Sequence, residues 1–156
     1  MEFNTDYRLL CEQMAGLLDT EKWYVSAMSN AAALLWQQIP QINWAGFYIM
    51  HHGRLNVGPF EGQPACIHIS PGKGVCGTAV AEDREIVVPD VHQFPGHITC
   101  DPVSCAEIVI PIHQKSNGKV KAVLDIDSPV KNRFTDEDRK GLLEFAKLLS
   151  GQLTWE

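Results

Sequence analysis

A chain of 156 residues with a formal net charge of −6 is long enough to bury a core of its own and is acidic overall. An acidic chain argues against a partner with a phosphate backbone, since nucleic-acid binding calls for a basic face. The sequence shows neither a basic segment followed by an apolar signal region nor an apolar run long enough for a bilayer. We therefore predict one domain over residues 1–156, with no nucleic-acid or membrane partner and a cytoplasmic location.

The N-terminal part of the chain predicts two helices. Apolar residues recur at helical spacing through residues 6–18. Asp19 or Thr20 is predicted to cap a second amphipathic helix, which ends before Pro40.

The middle of the chain changes to a period of two, which predicts strands. The predicted strands cover residues 43–50, 55–60, 65–69, 85–88, 106–112 and 119–127. Pro59 lacks an N–H for sheet pairing, so the second strand is predicted to be short or at an edge. Residues 74–81 predict a short helix with a glycine-rich start, and residues 89–103 predict a long irregular loop.

A last helix is predicted after Thr135, because Thr135 and Asp138 give a capping-box signal ahead of an apolar stripe. Strands in the middle with helices at both ends predict an α+β domain whose central sheet carries the terminal helices on one face. The short helix and the long loop are then left for the other face. We expect a pocket there.

Three carboxylates interrupt strands that are otherwise apolar. Side-chain alternation places Asp125 and Asp127 on one face of the last strand, and Glu107 lies in the strand before it. Trp44 and Tyr48 likewise share one face of the first strand. Burying an unpaired carboxylate is costly, so these acids line a wet cleft, meet a positive ligand, or lie on a solvated sheet face. Spacing alone slightly favours the solvated face.

Three cysteines lie between residues 61 and 101. Cys66, Cys76 and Cys100 each lie beside a turn-forming residue or a strand end, where a thiol can reach a cleft. Their spacing fits neither a CxxC motif nor a secreted disulfide scaffold. Any disulfide among the five cysteines is expected to be transient in a reducing compartment. This segment predicts thiol chemistry.

Longer motifs carry a family resemblance. The runs GPFEGQPACIHISPGKGVCGTAV, VPDVHQFPGHITCDPVSCAEIVIPI and AVLDIDSP resemble the free methionine-(R)-sulfoxide reductase family, a single-domain branch of the GAF fold. The resemblance extends over essentially the whole chain and implies a GAF-like antiparallel sheet. Cys105 departs from the pattern, since it stands where the family needs no thiol, and Cys11 lies outside the motifs.

The resemblance implies an enzyme that reduces the R epimer of free methionine sulfoxide and rejects sulfoxide within a polypeptide. It implies that Cys100 is the nucleophile and that Cys66 resolves the resulting sulfenic acid in a Cys66–Cys100 disulfide, which thioredoxin then reduces. Cys76 would line the site as an alternative attacking or resolving thiol. No bound cofactor is expected, and a homodimer is suggested by the family alone.

The resemblance also places the family's carboxylates on Glu107, Asp125 and Asp127, and its aromatic methyl pocket on Trp44 and Tyr48. The chemistry suits these residue types. The sulfoxide oxygen must be protonated as it leaves, and the substrate ammonium needs an anionic partner.

Cys100 needs help to ionise, because a free thiol is mostly protonated at neutral pH. His97, three residues away, can supply this help or can simply pack the loop, and we favour packing.

Other functions fit the sequence less well. Cys66, His68, Cys76, His97 and Cys100 could form a zinc site by composition, but their wide spacing is a weak signal. The loop 72–74 lacks the upstream Gly and the following Ser or Thr of a phosphate-binding loop. The strongest rival is a GAF module that senses a cyclic nucleotide or another small effector without catalysis. Such a binder would not need three thiols here, so we favour the enzyme.

Overall fold

The computed structural model describes residues 3–98 and 100–156. The helices are α1 (Tyr7–Thr20), α2 (Tyr24–Gln38), α3 (Gly74–Glu82) and α4 (Asp136–Leu149). The strands are β1 (Trp44–His51), β2 (Arg54–Gly62), β3 (His68–Ile69), β4 (Ile86–Val88), β5 (Ala106–His113) and β6 (Val120–Ser128). A short 3₁₀ turn covers Val91–Gln93 within the predicted long loop. Within the described ranges, no helix has the length and apolar character that crossing a membrane requires.

The six strands form one antiparallel sheet in the order β3-β2-β1-β6-β5-β4. The sequence-based prediction of a central antiparallel sheet is confirmed. β1 and β6 lie at its centre, and the register sets Glu107 of β5 directly opposite Asp127 of β6. Trp44 at the start of β1 pairs with the same Asp127 from the other side. The central strands therefore bring the predicted acids and an aromatic side chain together.

One face of the sheet packs against α1, α2 and α4, as the sequence predicts. Phe47, Ile108 and Leu124 of the sheet meet Leu10 and Phe145 of the helices in one fully buried cluster. Burying each such side chain stabilises the fold by about 1.5–3 kcal/mol. The alternation predicted for β1 is confirmed, because Phe47 faces this helical layer while Trp44 and Tyr48 belong to the cluster on the opposite face.

The predicted start of the second helix is wrong. α1 continues to Thr20, and α2 begins at Tyr24 with Trp23 at its N-cap and no side-chain cap. The intervening turn is held by the Glu21 carboxylate, which accepts hydrogen bonds from the backbone N–H groups of Lys22 and Trp23. Glu21 therefore satisfies backbone N–H groups before α2, a role that was expected of a cap at Asp19 or Thr20.

The predicted position of the second strand is also wrong. β2 is nine residues long and lies between β1 and β3, although it contains Pro59. β3 pairs only with Leu55 and Asn56, so the sheet continues beyond β2 at those residues alone. Pro59 lies where the β1–β2 register shifts. Its missing N–H therefore removes no regular ladder bond.

The capping box predicted at α4 is confirmed and is part of a buried network. The Thr135 side chain accepts from the Asp138 N–H, and the Asp138 carboxylate accepts from the Thr135 N–H. The same carboxylate accepts from Arg133 Nη1 at 3.0 Å and from Tyr7 Oη at 2.5 Å. Arg133 also donates to the Pro40 carbonyl just before β1. This network ties α1 and α4 to the start of the central strand.

Candidate active site

The other face of the sheet carries a small cavity beneath α3 and the loop after β4, where the sequence predicts a pocket. The space available to the centre of a water molecule is about 50 Å³. Every residue predicted for the site lines this cavity except Cys66, which packs against the same cluster. The lining residues that were predicted are Trp44, Tyr48, Cys76, Cys100, Glu107, Asp125 and Asp127.

Glycines let α3 approach the sheet and the loop closely. Gly74 starts the helix with φ +62°, and a Cβ there would also lie 3.1 Å from Ile98 Cγ1. A Cβ at Gly77 would lie 2.5 Å from the Ser70 carbonyl oxygen. A side chain at either position would therefore need the loops around α3 to move. The glycine-rich start of α3 thus fixes the thiol of Cys76 against the cavity.

The three carboxyls lie together and are buried. Glu107 is 7 % and Asp125 is 4 % exposed, and Asp127 is half-buried. No Lys, Arg or His pairs with them over the described residues. The prediction of a solvated sheet face, which spacing slightly favoured, is therefore wrong. Strand parity shows which side chains share a face, but it does not show what covers that face.

Burial makes these carboxyls hold their protons. Burial, followed by the charge of Asp127, raises the pKa of Asp125 to about 8. Burial first and neighbouring carboxylates second raise the pKa values of Glu107 and Asp127 well above their ordinary range. The buried Asp125 Oδ1 has no hydrogen-bond partner. An acid cluster without a counter-charge is suited to receive a cationic ligand group.

Cys76 lies at the inner end of the cavity. Its Sγ donates to Glu107 Oε2 at 4.0 Å, and the ligand atoms of Cys76, Glu107 and Asp125 all lie within 4.8 Å of one another. Burial first, then the charges of Asp125 and Glu107, raise the pKa of this thiol well above its ordinary value. Such a group stays a thiol at neutral pH and is a weak nucleophile. Among the residues that the structure describes, these three form the one cluster that could hold a metal ion.

The zinc site considered from composition is not formed. His68 of β3 is exposed and hydrogen-bonds to Asn56 and Arg54 of β2. Cys66 and Cys100 are joined to each other, so neither offers a free thiolate.

A Cys66–Cys100 disulfide lies at the edge of the cavity. It joins two residues 34 positions apart, with a Cα–Cα distance of 5.6 Å, and Cys11, Cys76 and Cys105 remain free. This is the pairing that the family resemblance implies. The bond links the segment before β3 to the long loop at the edge of the cavity, with Cys100 exposed and Cys66 half-buried.

Aromatic rings form the apolar side of the cavity. The Trp44 and Tyr48 rings stack with centroids 5.6 Å apart, and Phe60 stacks on Trp44 at 5.1 Å. Trp44 Nε1 donates to the Gln63 carbonyl at 3.1 Å, which fixes the indole plane. Burial, with the nearby Asp125 charge, raises the pKa of Tyr48, so the ring stays neutral. Phe60 was not predicted to belong to this wall, because the alternation of side chains in β2 does not show that its ring contacts Trp44.

His97 lines the cavity together with Cys100 and is half-buried. Burial, followed by the charge of His92, lowers the pKa of His97. The imidazole is therefore neutral at neutral pH and supplies no positive charge for a thiolate.

Sequence reasoning missed three residues that hold the Cys100 loop in place. Asn43 Nδ2 donates to Asp101 Oδ2 at 3.0 Å and to Ser104 Oγ at 2.9 Å. Asp101 Oδ1 also accepts from the Val103 N–H. Asp101 and Ser104 both line the cavity. They lie in an irregular segment, where no periodicity indicates the side to which a residue belongs.

Comparison with known proteins identifies the fold family first. The GAF domain model matches residues 8–153. The chain belongs to the GAF domain family, in agreement with its six-stranded antiparallel sheet.

More similar proteins define the branch of that family. Free methionine-R-sulfoxide reductase of Escherichia coli (strain K12) is 45% identical over 148 residues, which cover 95% of this chain and 84% of that protein. The reduced form of fRMsr of Staphylococcus aureus matches with a TM-score of 0.93 and 48% identity, covering 99% of each chain. The same S. aureus protein in complex with substrate matches with a TM-score of 0.91. The chain is a member of the free methionine-R-sulfoxide reductase family.

Proposed function

We propose that this protein reduces free L-methionine-(R)-sulfoxide to L-methionine by thiol chemistry. The observation that carries the proposal is a Cys66–Cys100 disulfide at the edge of a small cavity that has an acidic wall and an aromatic wall. The name of the E. coli relative supports the substrate.

The walls of the cavity match the parts of the substrate. Asp125 and Asp127 would pair with the ammonium, which would also lower their raised pKa values. The start of α3, with Lys73 beside it, would face the α-carboxylate, because a helix N-terminus favours negative charge. The methyl group would pack on Trp44 and Tyr48, since a sulfur-bound methyl makes favourable contacts with aromatic rings.

The chemistry is a transfer of oxygen from sulfur to sulfur. The Cys100 thiolate attacks the protonated sulfoxide and forms an S–S bond to the sulfoxide sulfur. That S–S bond and the S–O bond of the substrate then break as the OH group passes to Cys100, which leaves methionine and a sulfenic acid on Cys100. Cys66 then attacks the sulfenic sulfur, water leaves, and the disulfide forms. Glu107, kept protonated by burial and by Asp125, supplies the proton that the sulfoxide oxygen needs. This route calls for no bound cofactor.

Cys76 takes a binding role in this proposal. Its raised pKa keeps it a neutral thiol, and it bonds to Glu107. These features support Cys100 as the attacking thiol and Cys66 as its resolving partner, and they disfavour Cys76 for either step.

The electron donor and the assembly are further parts of the proposal. Thioredoxin would return the disulfide to two thiols, which fits a cytoplasmic location. Homodimer formation is a prediction from the family, and sedimentation of the purified protein at two concentrations tests it.

A single-turnover experiment with cysteine variants tests the proposed function. Without reductant, Cys66→Ser should release about one equivalent of methionine and then stop as sulfenic acid, while Cys100→Ser should release none. Cys105→Ser is the matched control and should behave as wild type. Release by Cys100→Ser, or none by Cys66→Ser, would reverse the two roles, and no release by wild type would reject the function.

A further inference from the structure

Cys100 lies between two adjoining spaces. On one side it lines the small cavity beneath α3, and on the other it lines a groove on the outside of the protein. The groove lies between the C-terminal part of α2, the end of β2 and the loop after Cys100. Its walls include Trp36, Ile42, Pro64, Pro102 and Val103. Cys66, although bonded to Cys100, lines neither space.

The outer groove is exposed, and its lining combines apolar residues with the polar residues Asn43 and Gln63. Val103 is 56 % and Trp36 is 38 % exposed, among the most exposed large apolar side chains of the described chain. Asp101 is the only charged residue among those that line the groove. An exposed disulfide with an open tryptophan and valine beside it offers a surface that a partner protein can contact, since such interfaces combine aromatic and apolar side chains with polar ones.

We propose that a protein dithiol reductant binds this groove and attacks the sulfur of Cys100, so that Cys66 is the leaving thiol. This inference rests on the proposed function for its place in the catalytic cycle. The attacked sulfur of a disulfide is set in part by access, and Cys100 is the exposed partner of the pair. Substrate would then use the inner side of Cys100 and reductant the outer side.

The exchange is balanced in atoms and electrons. The reductant thiolate bonds to Cys100 Sγ, the Cys66–Cys100 bond breaks, and Cys66 leaves as a thiolate that takes a proton from water. The second thiol of the reductant then attacks its own sulfur in the mixed disulfide and releases the Cys100 thiol. The reductant has become a disulfide, and two electrons have passed to the enzyme.

A kinetic experiment separates the groove from the disulfide itself. The enzyme is oxidised with diamide and then reduced either by thioredoxin or by dithiothreitol. For Val103→Glu, the thioredoxin concentration that gives half-maximal rate should rise at least ~10-fold, because a charge in an apolar contact is costly. The rate with dithiothreitol should stay within about twofold of wild type, since this small thiol needs no docking surface.

Ile67→Glu is the matched control. Ile67 is 63 % exposed and adjoins Cys66, so it marks the opposite approach to the same bond. Its thioredoxin dependence should match wild type. A normal Val103→Glu enzyme, or a defect in Ile67→Glu instead, would overturn the inference.

A trapping experiment identifies the attacked sulfur. Thioredoxin whose second active-site cysteine is replaced by serine should form a mixed disulfide with Cys100 of the diamide-oxidised enzyme, as found by peptide mapping. An adduct on Cys66, or no adduct, would overturn the inference. The disulfide is formed here without methionine sulfoxide, so this result is independent of the substrate, which the single-turnover release of methionine tests.

Discussion

Asp125 has an apolar strand environment on either side and no cation within the described chain to balance it. Its buried Oδ1 lacks a partner, and the charge of Asp127 adds to the effect of burial. The folded protein therefore binds a proton that the unfolded chain releases. Stability from this proton is full below the ordinary pKa of 3.8 and is lost as the pH rises to about 8.

Replacing Asp125 by Asn should remove this pH dependence in part. We expect Asp125→Asn to lose less stability than wild type between pH 5 and pH 8, and to be about 1–3 kcal/mol more stable at pH 8, because no buried carboxylate remains. Urea unfolding of both proteins with the disulfide intact measures this. Asp19→Asn, at an exposed position, should leave the slope unchanged. An unchanged slope in Asp125→Asn would show that its carboxyl is not the titrating group.

Glu107 of β5 and Asp127 of β6 lie opposite each other. Replacing them should nevertheless have different effects on the reaction. Glu107→Gln keeps the shape of the side chain but removes its acidic proton. The first release of methionine should therefore slow by about 10²–10⁴-fold even at saturating substrate. Asp127→Ala should chiefly raise the substrate concentration that gives half-maximal rate, by about 10–100-fold, because one partner of the substrate ammonium is gone. Rapid-quench kinetics over a range of substrate separates the effects. A normal rate in Glu107→Gln would leave that residue a binding role only.

At the scale of single residues, strand parity correctly grouped the acids with Trp44 and Tyr48. It could not predict that the group is buried, since the covering elements come from distant parts of the chain. The Cys66–Cys100 pairing came from the family motifs, because spacing alone left the three thiols equivalent.

The loop that carries Cys100 is tied to the sheet through one side chain. Asn43 precedes β1 and holds Asp101 and Ser104, which flank the reactive segment. The position of Cys100 relative to Cys66 therefore depends on contacts with the most central strand.

Asn43→Ala should loosen this loop without unfolding the domain. We expect a stability loss of about 1–3 kcal/mol, since each of the two lost hydrogen bonds contributes about 0.5–1.5 kcal/mol. Disulfide formation after methionine release should slow severalfold, since Cys100 is less well positioned for attack by Cys66. Parallel measurement of methionine and of remaining thiols tests this. Asn117→Ala, which removes an amide oxygen that accepts from the Lys119 N–H in the β5–β6 hairpin, is the control. Equal rates of disulfide formation in Asn43→Ala and wild type would contradict the anchoring role.

At the scale of elements, regular periodicity predicted α1, α4, β1, β5 and β6 closely. It misplaced the start of α2, because the turn is capped by Glu21 through backbone N–H groups and not by a residue of the predicted type. It also misjudged β2, because the sequence does not show that the register shift removes the need for an N–H at Pro59.

For the whole molecule, the pattern of strands between helices was sufficient to predict the layers and the face that carries the pocket. The small size of that pocket was not predictable, since it depends on the fit of α3 and the long loop over the sheet. A small site lined by acids should be selective. A peptide-bound sulfoxide has an amide in place of the ammonium, and its binding would leave Asp125 and Asp127 without a cation.

Turnover of three substrates tests the central claim most directly. Free L-methionine-(R)-sulfoxide, its S epimer and a peptide-bound sulfoxide are compared at equal enzyme, with dithiothreitol as reductant so that the result is independent of thioredoxin. The account predicts that kcat/KM for the free R epimer exceeds both others by at least ~100-fold, as expected for a site built around a charged group. Equal rates on free and peptide-bound sulfoxide, or faster turnover of the S epimer, would contradict it.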